Sequence, residues 1–122
     1  MNIESAFDLL RQGRSLAASL APSLPGRLAW VGVYPLDPAK PSAAAFLSRL
    51  GQSPTYDQPI FRVRVIEVSE SLVREERWIC EDDLHSRDDE VVVGENALMS
   101  KLARLGLSRD ALEWPYKVDY PI

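Results

Sequence analysis

The stretch IFRVRVIEV, residues 60–68, decides how this chain folds. Phe61, Val63 and Val65 alternate with Arg62, Arg64 and Ile66, the period of two expected of a strand with one buried and one wetter face. A strand of this kind needs neighbours. SES at 69–71 is expected to turn the chain, so that LVREERWICE at 72–81 pairs back as the second strand of a hairpin. Leu72, Trp78 and Cys80 then lie on one face, and Val73, Ile79 and Glu81 on the other. SLVREERW at 71–78 also fits a helical turn and a half. In the hairpin, Arg62 and Arg64 lie beside Glu75 and Glu76 and can pair with them across the ladder.

The flanking segments supply the rest of the fold. RLAWVGVY at 27–34 is apolar on both alternating faces, as an interior strand would be, and Trp30 is expected in the core. Before it, residues 5–20 place Ala6, Phe7, Leu9, Leu10, Leu16, Ala17 and Leu20 on one arc at 100° per residue. That pattern predicts one amphipathic helix, started by Ser5 and ended by Pro22 and the Pro25-Gly26 pair, with Gly13 a weak point inside it. Ser42 can cap a short helix, AAAFLSRL, that Gly51 closes. EVVVGE at 90–95 predicts a short strand, and Asn96 a cap for ALMSKLARL, whose Leu98, Leu102 and Leu105 share a stripe before Gly106 stops the helix. Ser108 can cap one more turn, RDALEW, which leaves Trp114 free to be core or surface. The tail PYKVDYPI reads as extended, running along a sheet edge or packed as an ordered arm. Together these elements predict an α+β fold, a sandwich of helices on one largely antiparallel sheet, forming a single domain over residues 1–122.

Composition limits what such a domain can do. With 122 residues, 46% hydrophobic and 26% charged, the chain has the make-up of an ordinary globular protein. No apolar stretch is long enough to cross a bilayer, and MNIESAFD carries acids where a signal peptide would be basic, so a cytoplasmic location is expected. Cys80 is the only cysteine, which rules out a disulfide within the chain or a cysteine metal cage.

Net charge is −4, unevenly spread: residues 75–90 sum to −6 and the other 106 residues to +2. The centre of this asymmetry is CEDDLHSRDDE at 80–90, with six carboxylates, one arginine and the only histidine. So acidic a segment repels phosphates, which argues against direct nucleic-acid binding and against anionic membranes. It favours a cationic partner or a metal ion.

Each chemical reading of the segment meets a plainer one. Cys80 with His85 as base would be a nucleophilic pair, but Cys80 beside Trp78 on an alternating strand is expected to be a small buried hydrophobe. A serine triad lacks its strand-to-helix G-x-S-x-G turn. Asp82, Asp83, His85, Asp88 and Asp89 offer oxygen ligands to a hard cation, yet the run has no glycine at the calcium-loop position, and Ser86 and Arg87 interrupt it. Paired-carboxylate hydrolysis needs a fixed close pair or an apolar pocket, and phosphate-cradling glycines are absent. Neither a cofactor nor catalysis is implied. What remains is recognition: clustered carboxylates near an aromatic, Trp78, suit a basic protein surface, although an alternating strand would place Trp78 in the core. The plainer alternative is a solvated loop.

The closing stretch NALMSKLARLGLSRDALEWPYKVDYPI, a leucine helix followed by a proline-flanked aromatic tail, resembles the C-terminal ends of immunity proteins that accompany bacterial contact-dependent growth inhibition toxins and related polymorphic toxins. The resemblance covers about a fifth of the chain. It implies a non-catalytic, cytoplasmic protein that binds one cognate toxin domain, often a nuclease, and blocks it. The expected contact surface is then Glu75, Glu76, Glu81, Asp82, Asp83, Asp88, Asp89 and Glu90. The alternatives are a small metal-dependent enzyme using Asp82, Asp83, His85 and Asp88, and a non-catalytic subunit of a larger assembly.

Overall fold

The computed structural model describes residues 1–52, 57–75 and 78–121. Its centre is a four-stranded antiparallel sheet in the order β1 (Leu16–Leu20), β2 (Arg27–Leu36), β3 (Ile60–Ser69) and β4 (His85–Val93). Helices α1 (Ile3–Arg11), α2 (Pro41–Arg49), α3 (Glu70–Arg74) and α4 (Glu95–Arg104) complete an α+β architecture. Among the described residues no helix is long and apolar enough to cross a membrane.

Strand β3 lies inside the sheet, paired with β2 from Leu36↔Ile60 to Arg27↔Ser69 and with β4 on its other side. Its odd positions, Phe61, Val63 and Val65, join Val31 and Val33 of β2, Leu16 and Ala18 of β1 and Val92 of β4 in the main core. Helix α1 covers that face with Ile3, Ala6, Phe7 and Leu10, and α4 with Leu98 and Leu102. A smaller cluster on the opposite face holds Trp30, Ile66 and Val68 under Leu72 and Val73 of α3, together with Leu84, Val118 and Tyr120.

Several expectations from the sequence are corrected. First, the helix over 5–20 is two elements. Asn2, not Ser5, caps α1 by accepting from the Glu4 amide. Gly13 then takes φ +84°, a conformation cheap only for glycine. Residues Leu16–Leu20 emerge as a strand whose Leu16 and Ala18 pair with Val33 and Val31. Small and apolar residues there satisfy either period, and pairing with β2 settles the matter. Second, the described residues of 72–81 do not form the expected strand. Residues 70–74 are α3, a 3-10 turn spans Glu81–Asp83, and the partner of β3 is β4, which begins inside the acidic segment. A bulge shifts the register from Val65↔Asp88 to Ile66↔Ser86. Third, RDALEW is not helical. Glu113 instead pairs with Ala17, exchanging N–H···O bonds of 2.9 and 2.8 Å that close the outer edge of β1. Ser42 and Asn96 lie within α2 and α4, after caps at Lys40 and Gly94.

The tail is ordered but not extended. A 3-10 turn at Pro115–Val118 is followed by Asp119 in the left-handed region, φ 56°, which brings Tyr120 down onto the sheet. Trp30 Nε1 donates to the Val118 carbonyl at 2.6 Å, and the Tyr34 and Tyr120 hydroxyls share a hydrogen bond. Gly32 makes the space: a Cβ there would lie 2.8 Å from Tyr120 Cζ and 2.9 Å from Tyr34 Cε2. Overpacking of this kind typically costs about 1–3 kcal/mol. Gly32→Ala should therefore lower the melting temperature and expose the tail to limited proteolysis, with the main core intact by circular dichroism.

Candidate protein-binding surface

The acidic segment divides between the 3-10 turn and β4, and most of its carboxylates have partners within the fold. On the main-core side of β4, Asp88 and Glu90 both bind Lys101 of α4, with Nζ 2.6 Å from Glu90 Oε2. Lys101 is 7% exposed. Burial pushes its ammonium down, but hydrogen bonds and charge from Asp88 and Glu90 outweigh that and hold it above the ordinary lysine value.

On the other side, Asp89 accepts from Arg62 Nε at 2.9 Å and Nη2 at 2.5 Å. Glu81 accepts from Arg64 Nη1 at 3.0 Å and Nη2 at 2.7 Å. Both are the two-pronged guanidinium–carboxylate geometry. The Arg64 hydrogen bond holds Glu81 below the usual carboxylate range. Arg62 also stacks 4.5 Å from the Phe46 ring centroid. These partners come from the 3-10 turn and β4, not from the hairpin strand expected to carry Glu75 and Glu76. Asp83 serves the backbone, accepting from the Cys80 amide at 2.9 Å.

The remaining expected site residues stand differently. Glu76 lies outside the described residues. Glu75 is exposed just after α3. Asp82 is exposed and has no partner among the described residues. Between them, Trp78 is 95% exposed and Cys80 is exposed too. Both were expected on a buried strand face, and both are freed because that strand does not form among the described residues. Trp30, by contrast, is core as expected.

The chemistry weighed for this segment finds no assembled site. Asp83 and Asp88, two of the four residues considered for a metal-dependent enzyme, are committed to the Cys80 amide and to Lys101. Among the described residues no three His, Cys, Asp or Glu side chains are grouped to hold a metal ion. An open groove of about 840 Å³ runs elsewhere, between α1, α2 and the ends of β2 and β3, and Arg11, Lys40, Phe46 and Arg49 are among its lining residues.

Two buried ionic residues escaped the sequence reading, although each left a trace. Lys101 falls three residues after Leu98, on the flank of the apolar stripe. Glu67 falls on the Phe61–Val63–Val65 face of β3. It is 1% exposed, accepts from the Ser23 amide at 3.2 Å and lies 3.6 Å from Arg87 and 3.8 Å from Arg27. Burial pushes its carboxyl up, but the hydrogen bonds from Ser23 and the two arginines outweigh it and leave it below the usual range.

Comparison of the chain with protein-family models, with curated proteins and with solved structures returns no match.

Lys101→Met leaves two part-exposed carboxylates facing each other and should cost about 2–3 kcal/mol at pH 7, less than a fully buried pair. Because the folded Lys101 value is raised, its contribution is complete below the unfolded lysine value of about 10.4 and fades as pH rises through the folded one. Urea unfolding of Lys101→Met should lack that alkaline loss. Glu67→Gln should cost about 1–3 kcal/mol at neutral pH. Its lowered value gives the opposite sign: stability held above the unfolded glutamate value of about 4.3 and lost as pH falls through the folded one. The acid limb of unfolding should flatten in this variant.

Proposed function

We propose that this protein is a non-catalytic binding protein of the immunity type, which neutralises a cognate toxin domain, often a nuclease in such systems, by covering a basic surface on it. The observation that carries the reading is Trp78, 95% exposed and flanked in the chain by the exposed acids Glu75, Glu81 and Asp82. Tryptophan is among the side chains proteins bury most heavily on average. An indole removes roughly 150–250 Å² from water when covered, worth about 4–6 kcal/mol at 25 cal/mol per Å². An aromatic anchor ringed by charge suits the centre of a tight interface, with the charges speeding encounter and the anchor slowing release. The resemblance of the C-terminal stretch to immunity proteins supports the same reading.

The contact surface is narrower than the composition suggests. Glu81, Asp83, Asp88, Asp89 and Glu90 already have partners inside the fold, so Trp78 and Asp82 form its centre and the other exposed or paired acids its rim. The cytoplasm is the compartment where such a protein would meet an incoming toxin.

If a neighbouring gene encodes a toxin domain, co-expression with this protein should restore growth to a cell poisoned by that domain. Trp78→Ala should weaken binding at least tenfold, chiefly through faster dissociation. Asp82→Lys should slow association several-fold at low salt, an effect that shrinks as ionic strength rises. Neither should move the melting temperature by more than a degree or two. Association kinetics indifferent to both substitutions and to salt would sink the proposal.

A further inference from the structure

The two outer edges of the sheet are treated differently. That of β1 is closed by the exchange of hydrogen bonds between Ala17 and Glu113. That of β4 is not. The Gly94 amide donates to the Pro59 carbonyl at 2.7 Å, one step beyond the Val93↔Ile60 pair. In an antiparallel ladder, alternate residues of an edge strand turn both backbone groups toward the neighbour, and those between turn both away. Val92, Glu90 and Asp88 therefore bond to β3, and the N–H and C=O groups of Val93, Val91 and Asp89 point outward. Among the described residues none of these outward groups makes a backbone hydrogen bond.

An open strand edge is a template for another strand, and proteins that leave one open either guard it or use it. The side chains here narrow the choice of occupant. In the antiparallel register that would pair all nine residues of two copies of β4, Asp89 falls opposite Asp89 and Asp88 opposite Glu90. Like charges directly opposite destabilise a ladder, so a second copy is a poor occupant. A cationic strand is a good one: Asp88 and Glu90 share the single ammonium of Lys101, which leaves one negative charge over beside the edge. Beyond it, Val91, Val92 and Val93 offer an apolar, β-branched stretch on both faces.

We propose that the basic partner binds by adding a strand to the outer edge of β4, with lysine or arginine opposite residues 88–90 and apolar side chains opposite Val91–Val93. The proposal rests on the binding function argued above and specifies its geometry. In that arrangement the partner's backbone satisfies Asp89, Val91 and Val93, and its cations relieve the excess carboxylate.

The test is amide hydrogen exchange on the isotope-labelled full chain, with a capped peptide of three valines followed by three lysines as probe and its valine–glutamate counterpart as control. The lysine peptide should slow exchange at Asp89, Val91 and Val93 at least tenfold. Asp88, Glu90 and Val92, already bonded to β3, should be unchanged, and the glutamate peptide should have no effect. Val91→Pro removes an amide that bonds nothing in the free protein, so it should abolish the protection while leaving the melting temperature within a few degrees. Resonance shifts at Trp78 and Asp82 without protection along β4 would overturn the edge inference and leave the binding function standing. Equal protection by both peptides would overturn the charge argument. Protection that grows with protein concentration alone would replace the partner by a second copy. Absence of any response to either peptide would count against the edge and the function together.

Discussion

Arg62, Arg64 and Lys101 are set into the body of this protein, and each requires a carboxylate within hydrogen-bonding reach. Arg62 and Arg64 occupy the wetter face of β3, with Arg62 against Phe46 and Arg64 near enough to Tyr34 and Tyr120 for its charge to oppose part of the upward shift that burial gives their hydroxyls. Lys101 lies between α4 and β4 at the margin of the main core. An ammonium or guanidinium removed from water without a counter-charge costs several kcal/mol, whereas one matched in geometry and charge is tolerated. Asp89, Glu81, Asp88 and Glu90 supply that match. A large share of the acidity at 80–90 is therefore structural: it clamps β4 to β3 and α4 to the sheet.

This pairing also governs what the surface can offer. Carboxylates committed to Arg62, Arg64 and Lys101 still contribute to the local potential, but they are not free to reorganise around a newcomer. Asp82, in the turn between α3 and β4, is exposed and has no partner among the described residues. Loops on a rigid scaffold are the usual place for recognition. Here the scaffold is the β3–β4 ladder, and the loop carries an indole that no other described residue covers to any extent that matters, at 95% exposure.

The second face of the sheet depends on a different constraint, the absence of a side chain at Gly32. It lets Tyr120 reach the Tyr34 hydroxyl and brings Val118 over Trp30. The tail thereby seals a cluster that α3 and Leu84 alone would leave half open. The partition of the hydrophobic residues is thus uneven, with a deep core under α1 and α4 and a thinner one roofed by short segments.

By itself the sequence determined the elements whose period has only one reading. The alternation of Phe61, Val63 and Val65 with Arg62 and Arg64 marks β3, the doubly apolar 27–34 marks an interior strand, and Leu98, Leu102 and Leu105 with Gly106 mark α4. The α+β class follows from these. The tertiary structure decided the segments whose local pattern fits two periods. Leu16–Leu20 satisfies helix and strand alike and becomes a strand because β2 offers it a ladder. Residues 72–81 alternate well enough for a strand, but β4 takes the place beside β3 with three valines and with Asp89, which answers Arg62, and Trp78 is released to the surface. Which carboxylate meets which cation was likewise illegible along the chain, because an ion pair is set by the distance between side chains in the folded state and that distance does not follow from their spacing in sequence.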